Sequence, residues 1–322
     1  MARCKIHSCL SSALQEPENV KILDLSHQQL QQAPKELEKF TQLEELDLSS
    51  NELCDLPSEI LKLQSLKVLW LTGNCFTQVP QEILQLRSLE RLYLSYNNIE
   101  HLPELPTDFP LQALLISHNK LREVHSSWHK AQRLTTIIAN CNKLPVIPEA
   151  ICRLTNLEDL DFSENHISEV PCEIHWPNLQ KLYIWNNHIH KLSEQISLCT
   201  QLQEFDISGN YLPQIPEQVG QLRNLQILDL RKNKLQQIPE QIGHCQKLER
   251  LLLSYNNLQQ LPETVGSLTA LRELSLYNNE IGHLPTTLTN LHKLQSISLQ
   301  ENPISSDKVQ QIQQKLPQVS FH

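Results

Sequence analysis

Glycine is scarce in this sequence, at 6 of 322 residues, and no Gly/Ser-rich or low-complexity segment interrupts the chain. A flexible linker to a tethered second domain is therefore not predicted. Long apolar runs are missing too: no segment approaches the roughly 20 apolar residues that span a bilayer. Residues 1–10 also lack the apolar stretch of a signal peptide. From the sequence we expect no membrane association.

Motifs of catalysis and metal binding are absent as well. The sequence has no glycine-rich phosphate-binding motif, no dinucleotide-binding motif and no Cys-x-x-Cys pair. His125 and His129 are four residues apart, but no third ligand accompanies them, so we interpret them as solvated surface residues. A nucleophile also needs a base and an orienting group in one pocket. The sequence therefore predicts no enzyme, no metal site and no cofactor.

The net charge of -9 disfavours binding to a phosphate backbone, so nucleic acid is not an expected partner. The 9 cysteines are scattered through the chain, and no Asn-x-Ser/Thr glycosylation acceptor occurs. Cys199 and Cys245 replace leucines of other repeats and are predicted to be small core residues. These features favour a reducing compartment, and we expect a cytoplasmic protein.

A repeated pattern, L-x-x-L-x-L-x-x-N-x-L, fills most of the chain. It recurs about every 23 residues, thirteen times, from Val20 to Ile304. With the first leucine counted as position 1, side chains at positions 4 and 6 share one face of a short strand. The rest of each repeat is long enough to return the chain to a parallel neighbouring strand. The pattern predicts an α/β fold in which the strands stack into one parallel sheet.

Position 9 is asparagine in every repeat except the first, where Gln28 stands. A buried carboxamide both donates and accepts hydrogen bonds, as the turn after a strand requires. We therefore predict that these residues are structural. They are Asn51, Asn74, Asn97, Asn119, Asn142, Asn165, Asn187, Asn210, Asn233, Asn256, Asn279 and Asn302.

The pattern resembles the leucine-rich repeat family over about nine tenths of the chain. The Leu-Pro step after the asparagine, as in Leu56-Pro57, is similar to the 23-residue class. The resemblance implies a curved horseshoe solenoid with a parallel β-sheet on the concave face and short helical or 3-10 turns on the convex face. We expect an N-terminal cap over residues 1–19, a solenoid over 20–304 and a C-terminal helical cap over 305–322. The two caps look like those of stand-alone bacterial leucine-rich repeat proteins.

A serine cap at the N-terminal end, two short repeats and one L-P-x-L-P unit complete the prediction. Ser11 or Ser12 is expected to cap a short helix at the N-terminal end. The repeats that begin at Leu89 and Leu157 are one residue short. This irregularity either changes the local curvature or fits a bound partner. Residues 102–121 resemble, in a single copy, the L-P-x-L-P units of secreted bacterial effectors.

Candidate binding residues occupy the variable positions 2, 3, 5, 7 and 8, which the family likeness places on the concave sheet. At position 5, four consecutive repeats carry apolar side chains that would form a stripe, and an exposed stripe of this kind often marks an interaction site. Lateral stabilisation of neighbouring strands is the alternative. The stripe with its flanks comprises Val68, Trp70, Tyr93, Tyr96, Leu115 and Ile138, and a second cluster suited to a basic or mixed segment comprises Asp161, Lys181, Tyr183, Trp185, Asp206 and Asp229.

We therefore expect a monomeric, non-catalytic scaffold or adaptor that binds a protein or peptide on its concave sheet in intracellular signalling. Two alternatives stay open. One is a secreted bacterial effector that binds host proteins, which detection in culture supernatant would favour. The other is a regulatory subunit of a phosphatase or small-GTPase pathway, which a co-purifying enzymatic activity would favour.

Overall fold

The computed structural model describes residues 6–171 and 173–322. The chain divides into two compact units, one formed by residues 1–144 and 148–157 and the other by residues 145–147 and 158–322. Both units are built from strands of two or three residues joined by short helical turns. The predicted parallel sheet with short helical and 3-10 turns is confirmed.

Within its described residues, the first unit contains nine strands, of which seven form a parallel sheet in the order β1-β2-β3-β4-β5-β7-β9. Residue partners of neighbouring strands are usually 23 positions apart, as in Glu45 with Val68. The two other strands pair with each other. The strands are β1 (Ile6–His7), β2 (Ile22–Asp24), β3 (Glu45–Asp47), β4 (Val68–Trp70), β5 (Arg91–Tyr93), β6 (His101–Leu102), β7 (Ala113–Leu115), β8 (Glu123–Val124) and β9 (Thr136–Ile138).

Helical turns of the first unit mostly follow the proline of each repeat, because proline takes an extended conformation and needs no amide donor. Pro57, for example, has φ -73° and ψ 150° directly before a turn. The α-helices are α1 (Leu10–Ala13) and α2 (Glu149–Cys152); the 3-10 turns are Pro17–Asn19, Lys35–Lys39, Ser58–Lys62, Ile83–Gln85 and Ser126–Lys130.

The second unit repeats this design in a regular form. Its strands pair in sequence order, all parallel. They are β10 (Asp159–Asp161), β11 (Lys181–Tyr183), β12 (Glu204–Asp206), β13 (Ile227–Asp229), β14 (Arg250–Leu252), β15 (Glu273–Ser275), β16 (Ser296–Ser298) and β17 (Ser320–Phe321). The 3-10 turns are Glu194–Leu198, Glu217–Gln221, Glu240–His244, Glu263–Ser267 and Thr286–Asn290, and the chain then forms α3 (Ser306–Lys315).

The core of each unit lies on one side of its sheet. Leucines at positions 4 and 6, such as Leu46 with Leu48 and Leu228 with Leu230, are fully buried. Each buried leucine contributes about 2 kcal/mol of transfer free energy. Cys199 and Cys245 are fully buried too, and burial raises the pKa of their thiols to about 12 and about 11. The opposite side of the sheet, called here the open face, carries positions 3 and 5.

The position-9 asparagines satisfy the backbone where each strand ends, as predicted. The Nδ2 of Asn74 donates to the carbonyls of Leu71 (3.1 Å) and Leu48 (3.0 Å), and its Oδ1 accepts the amide of Leu53 at 3.0 Å. One side chain thus bonds to its own repeat and to the preceding one. The asparagines of both units recur with the same bonds, so the ladder joins successive repeats.

Position 8, just before the asparagine, has a positive φ in all thirteen repeats. Only Gly73 and Gly209 are glycines there; the other eleven residues adopt a left-handed conformation that costs about 1 kcal/mol or more each. The asparagine bonds offset this strain, because they hold the turn from both sides. Side chains at position 8 consequently project from the turn at the edge of the open face.

The irregular middle of the first unit has its own packing. β6 and β8 pair in parallel outside the main sheet. The buried Trp128 donates through Nε1 to the carbonyl of Pro103 at 2.8 Å, and the Ser127 hydroxyl accepts the amide of Leu105 at 2.7 Å. Residues of the following repeat therefore satisfy the backbone of the shortened segment.

Both ends of the described chain differ in detail from the prediction. The proposed serine cap of α1 is wrong: the helix begins at Leu10, and Ser12 instead donates through its hydroxyl to the carbonyl of Cys9. The C-terminal helix is present as α3, with Ser305 preceding it. β1 pairs with β2, and β17 pairs with β16, so each extends the sheet of its unit by one strand. Neither strand was predicted, because the leucine pattern of the repeat does not extend to these two-residue segments. The boundaries 1–19, 20–304 and 305–322 stay predictions.

Candidate functional site

The open face of the first unit carries a row of apolar side chains at position 5. Strand register places Trp70 beside Tyr93, Tyr93 beside Leu115, and Leu115 beside Ile138. All four are partly exposed. The rings of Trp70 and Tyr93 are stacked, with centroids 5.4 Å apart and planes at 15°. Neighbouring parallel strands lie about 4.8 Å apart, so the register itself brings the rings to stacking distance.

A second aromatic pair lies three residues further along, on the left-handed turns. Tyr96 is 58% exposed, and its ring stacks on the imidazole of His118 with centroids 4.2 Å apart and planes at 10°. Both residues occupy position 8 of consecutive repeats. We call the row from Trp70 to Ile138, together with Tyr96 and His118, the aromatic face.

Flanking residues of the aromatic face contribute less exposed area. Val68, at position 3 of β4, is only 8% exposed, so it packs rather than presents surface. Charged side chains at position 2 form an ion-paired ladder across three strands, in which Glu44 binds Lys21 and Lys67, each at 2.6 Å. Hydrogen bonds from these two lysines lower the pKa of Glu44 to about 2. The negative charge of Glu44 at position 2 is therefore balanced by the lysines at position 2 of the two neighbouring repeats.

The open face of the second unit carries acidic side chains at positions 3 and 5 of several repeats. Asp159, Asp161, Glu204, Asp206 and Asp229 lie at positions 3 and 5 of β10, β12 and β13. We call these five residues, with Lys181, Tyr183 and Trp185, the acidic face. The latter three are partly exposed.

Part of this acidity is structural. Asp161 accepts the amide of Ser163 through Oδ1 at 2.9 Å, and Asp206 accepts that of Ser208 at 2.9 Å. In the first unit Asp24 and Asp47 accept the same bond. Aspartate at position 5 thus closes the turn after the strand, which explains why it recurs in both units.

Burial nevertheless leaves some of these carboxylates poorly solvated. Burial is the main cause that raises the pKa of Asp159, Asp161 and Asp206, and the charge of Asp229 adds to the effect at Asp206. One carboxylate oxygen of Asp159, Oδ1, is buried without a hydrogen-bond partner. The cluster is therefore short of compensating positive charge.

Two acids of the cluster already have partners. Asp229 is 3% exposed, and Arg231 covers it, with Nε at 2.9 Å and Nη2 at 2.5 Å from Oδ2. The Tyr183 hydroxyl donates to Glu204, whose other oxygen lies 3.6 Å from Lys181 Nζ. Burial, followed by this carboxylate, raises the pKa of Tyr183. Asp159, Asp161 and Asp206 are the acids of this cluster for which the described residues supply no ion pair.

Residues 6–171 and 173–322 contain no group of three or more His, Cys, Asp or Glu arranged to hold a metal ion. His125 Nδ1 does contact the Ser127 hydroxyl at 2.9 Å, but that serine is buried and accepts the Leu105 amide. This serine therefore positions the backbone. None of the helices in the described part is long and apolar enough to cross a membrane.

A groove of about 900 Å³ in the second unit lies along the corresponding segments of three successive repeats, away from the open face. Its walls are formed by segments such as Ile215-Pro216 and Ile238-Pro239 with neighbouring glutamines and glutamates. The groove follows the geometry of the repeat.

Sequence reasoning missed two contributors to the candidate surfaces. His118 enters through its stack on Tyr96, and Arg231 enters by neutralising Asp229. Aligning the position-8 residues of successive repeats would have shown Tyr96 next to His118. The pairing of Arg231 with Asp229, two residues away, has no comparable signal because arginine side chains reach many partners.

Comparisons with known proteins agree with this geometry. A family model described as "Leucine-rich repeat region" matches residues 186–319, and one described as "Leucine rich repeat" matches residues 41–99. A solved leucine-rich repeat protein of Leptospira interrogans is 27% identical, with a TM-score of 0.74, and the match covers 99% of each chain.

Two further solved structures extend the comparison. The plant peptide hormone receptor RGFR1, solved in complex with RGF2, is 30% identical with a TM-score of 0.68; the match covers 92% of this chain and 53% of the receptor chain. The chain thus spans about half of that receptor. An internalin of Listeria monocytogenes shares the fold at 23% identity, with a TM-score of 0.67 and 88% of each chain covered.

Proposed function

Because this chain is a leucine-rich repeat protein, we propose that it is a non-catalytic scaffold that binds a protein or peptide on the open face of its sheet. The observation that carries the proposal is the aromatic face. Trp70 and Tyr93 present stacked, partly exposed rings in a row that Leu115 and Ile138 continue. Aromatic side chains at interfaces supply much of the binding energy.

Rigidity supports the same function. The strands are held by backbone bonds and by the asparagine ladder, so the rings are already in place before a partner arrives. Binding then loses little conformational entropy. The plant receptor that resembles this chain was solved in complex with RGF2, which supports a protein or peptide ligand here.

The acidic face suits a basic or mixed segment of a partner. Asp159, Asp161 and Asp206 have raised pKa values because they are partly desolvated, and a lysine or arginine would supply the missing positive charge. Complementary charge mainly increases the association rate and the specificity of binding.

Location and pathway complete the proposal. We place the protein in the cytoplasm as a monomeric adaptor in signalling, supported by its scattered cysteines and the lack of glycosylation acceptors. The buried, protonated thiols of Cys199 and Cys245 behave as core residues and agree with this location.

The test is affinity capture from native lysate with the protein and with the double variant Trp70→Ala/Tyr93→Ala. Loss of two anchors should weaken binding by about 30-fold or more and deplete the captured partners. The unfolding midpoint should change little, because both rings are partly exposed. A matched control is Tyr255→Ala/Tyr277→Ala, which removes another aromatic pair, with centroids 5.2 Å apart, from the second unit. Retention of every partner by the Trp70/Tyr93 variant would contradict the proposal.

A further inference from the structure

Two exposed free cysteines, Cys54 and Cys75, lie on consecutive repeats of the first unit. Cys54 occupies position 12 of its repeat and Cys75 occupies position 10 of the next. Both lie just outside the asparagine turn, and neither belongs to the aromatic face. The proposed binding function makes no use of them.

The backbone places the two residues opposite each other. The amide of Cys75 donates to the carbonyl of Leu53 at 2.8 Å. Leu53 directly precedes Cys54, so this bond sets Cys54 beside Cys75 of the next repeat. Neighbouring parallel chain segments joined by such bonds are about 4.8 Å apart, which lies within the Cα separation of about 4.4–6.8 Å that disulfides span.

Other repeats show that side chains at these two positions meet on the surface. Gln31 at position 12 donates through Nε2 to Glu52 at position 10 of the following repeat, at 3.4 Å. His190 and Tyr211 occupy the same two positions in the second unit, and their rings stack with centroids 5.2 Å apart. The corresponding backbone bond is present in both cases. Contact between positions 12 and 10 is thus a property of the repeat.

The Cys54 side chain lies close enough to Cys75 to act on its thiol. Partial desolvation first, and then the neighbouring Cys54, raise the pKa of the Cys75 thiol. The raised pKa leaves less of Cys75 in the reactive thiolate form.

We propose that Cys54 and Cys75 are an oxidative modification site, at which a peroxide converts the two thiols into a reversible disulfide between successive repeats. The Cys54 thiolate attacks one peroxide oxygen, the O–O bond breaks, and with hydrogen peroxide one water leaves to give a sulfenic acid. The Cys75 sulfur then attacks the Cys54 sulfur. The S–S bond forms, the S–O bond breaks, and a second water departs with the thiol proton. Two thiols are oxidised while one peroxide is reduced to two waters.

The disulfide would join the repeats that contain β3 and β4, and β4 contains Trp70. The link would close a loop of about 20 residues and restrict opening between these two repeats. Attack by an added dithiol on the exposed bond would restore both thiols.

The test treats the purified full chain with hydrogen peroxide, alkylates the remaining thiols and maps the peptides by mass spectrometry. The expected product is a cross-linked pair of peptides containing Cys54 and Cys75, with the intact mass lower by two hydrogen atoms. Dithiothreitol should reverse it. Cys54→Ser and Cys75→Ser should each abolish this product, and both sites are exposed, so neither variant should impair folding.

Cys9→Ser is the matched control. Cys9 is an exposed cysteine whose sulfur lies 3.0 Å from the Ser11 hydroxyl, so its loss should leave the cross-link unchanged. The proposal is overturned if both Cys54 and Cys75 are recovered as separately alkylated or over-oxidised residues. Cross-links of either residue mainly to other cysteines would overturn it as well.

Discussion

Trp70 in the first unit and Asp206 in the second occupy the same position of the repeat, at the end of a three-residue strand and on the open face. Trp70 stacks on Tyr93 and begins a row of apolar side chains. Asp206 closes its turn through Ser208 and lies beside other carboxylates. The backbone of the repeat accepts both residues because position 5 does not contribute to the core.

The way each unit handles charge sharpens the difference. In the first unit Glu44 lies between Lys21 and Lys67, and its pKa is lowered to about 2. In the second, burial raises the pKa of Asp161 and Asp206. One open face has compensated charge and apolar anchors, whereas the other keeps acids that packing alone does not favour.

The largest effect is expected where the two units are the same. Asn97→Ala removes bonds to the carbonyls of Leu71 and Leu94 and from the amide of Phe76, and Asn210→Ala removes the equivalent bonds. Each variant should lose about 3 kcal/mol of unfolding free energy, because buried backbone groups lose their partners. Urea unfolding followed by circular dichroism measures this loss.

Asn257→Ala is the control for that pair, because Asn257 is exposed and its Nδ2 makes one long bond of 3.4 Å to Glu280. It should change stability by less than about 0.5 kcal/mol. A loss in one unit but not in the other would show that the two faces do not stand on equivalent scaffolds.

A smaller effect is expected from removing the partner of Asp229. Arg231→Met leaves a carboxylate that is 3% exposed without its guanidinium and should destabilise the protein by about 1–2 kcal/mol. Asp229→Asn added to this variant should recover most of the loss, since the buried charge is then gone. Thermal unfolding of the single and double variants decides the matter. Equal losses in both would mean that the ion pair contributes only packing.

The smallest effect is expected from removing the charge of one acid on the acidic face, Asp206. The substitution Asp206→Asn keeps a side-chain oxygen that can accept the Ser208 amide, and it removes the negative charge. Because the pKa of folded Asp206 is raised, the folded state binds its proton more tightly, so the native protein loses stability as pH rises through the interval between unfolded and folded pKa values. At neutral pH the variant should be more stable by less than about 1 kcal/mol, and the difference should vanish below the unfolded pKa.

Asp47→Asn is the matched control for that change, since Asp47 accepts the same turn bond from Ser49, at 2.8 Å. The unfolding free energy of the Asp47→Asn variant should stay within about 0.5 kcal/mol of that of the unmodified protein, both at neutral pH and at the acidic pH used for Asp206→Asn. A similar gain in the two variants would remove the distinction between the faces, because the charge of Asp206 would then be no more costly than that of Asp47.

Much of the candidate surface was accessible from the residue pattern. Register places Trp70, Tyr93, Leu115 and Ile138 side by side, as a strict repeat requires. The pattern was less informative about exposure. Val68 turns out to be buried, because the exposure of position 3 depends on how large its neighbours are.

The caps and the irregular segment show where local pattern reasoning stops. β1, β6, β8 and β17 are strands of two residues, too short to have an alternating pattern. The serine cap predicted for α1 was wrong because the Ser12 hydroxyl instead bonds back to the carbonyl of Cys9. Choices between such local bonds depend on the conformation of the chain as a whole.

The sequence by itself determined the repeat, the parallel sheet and the buried ladder, because leucines recur with the same spacing in every repeat and the ladder asparagine recurs in every repeat after the first. Only the tertiary structure decided how particular side chains meet: the Tyr96 ring stacks on His118, and Arg231 covers the buried carboxylate of Asp229. These contacts join side chains of different lengths across turns whose left-handed residue sets their direction. A one-dimensional pattern records which residue types recur, whereas side-chain reach and solvation depend on the packed neighbours.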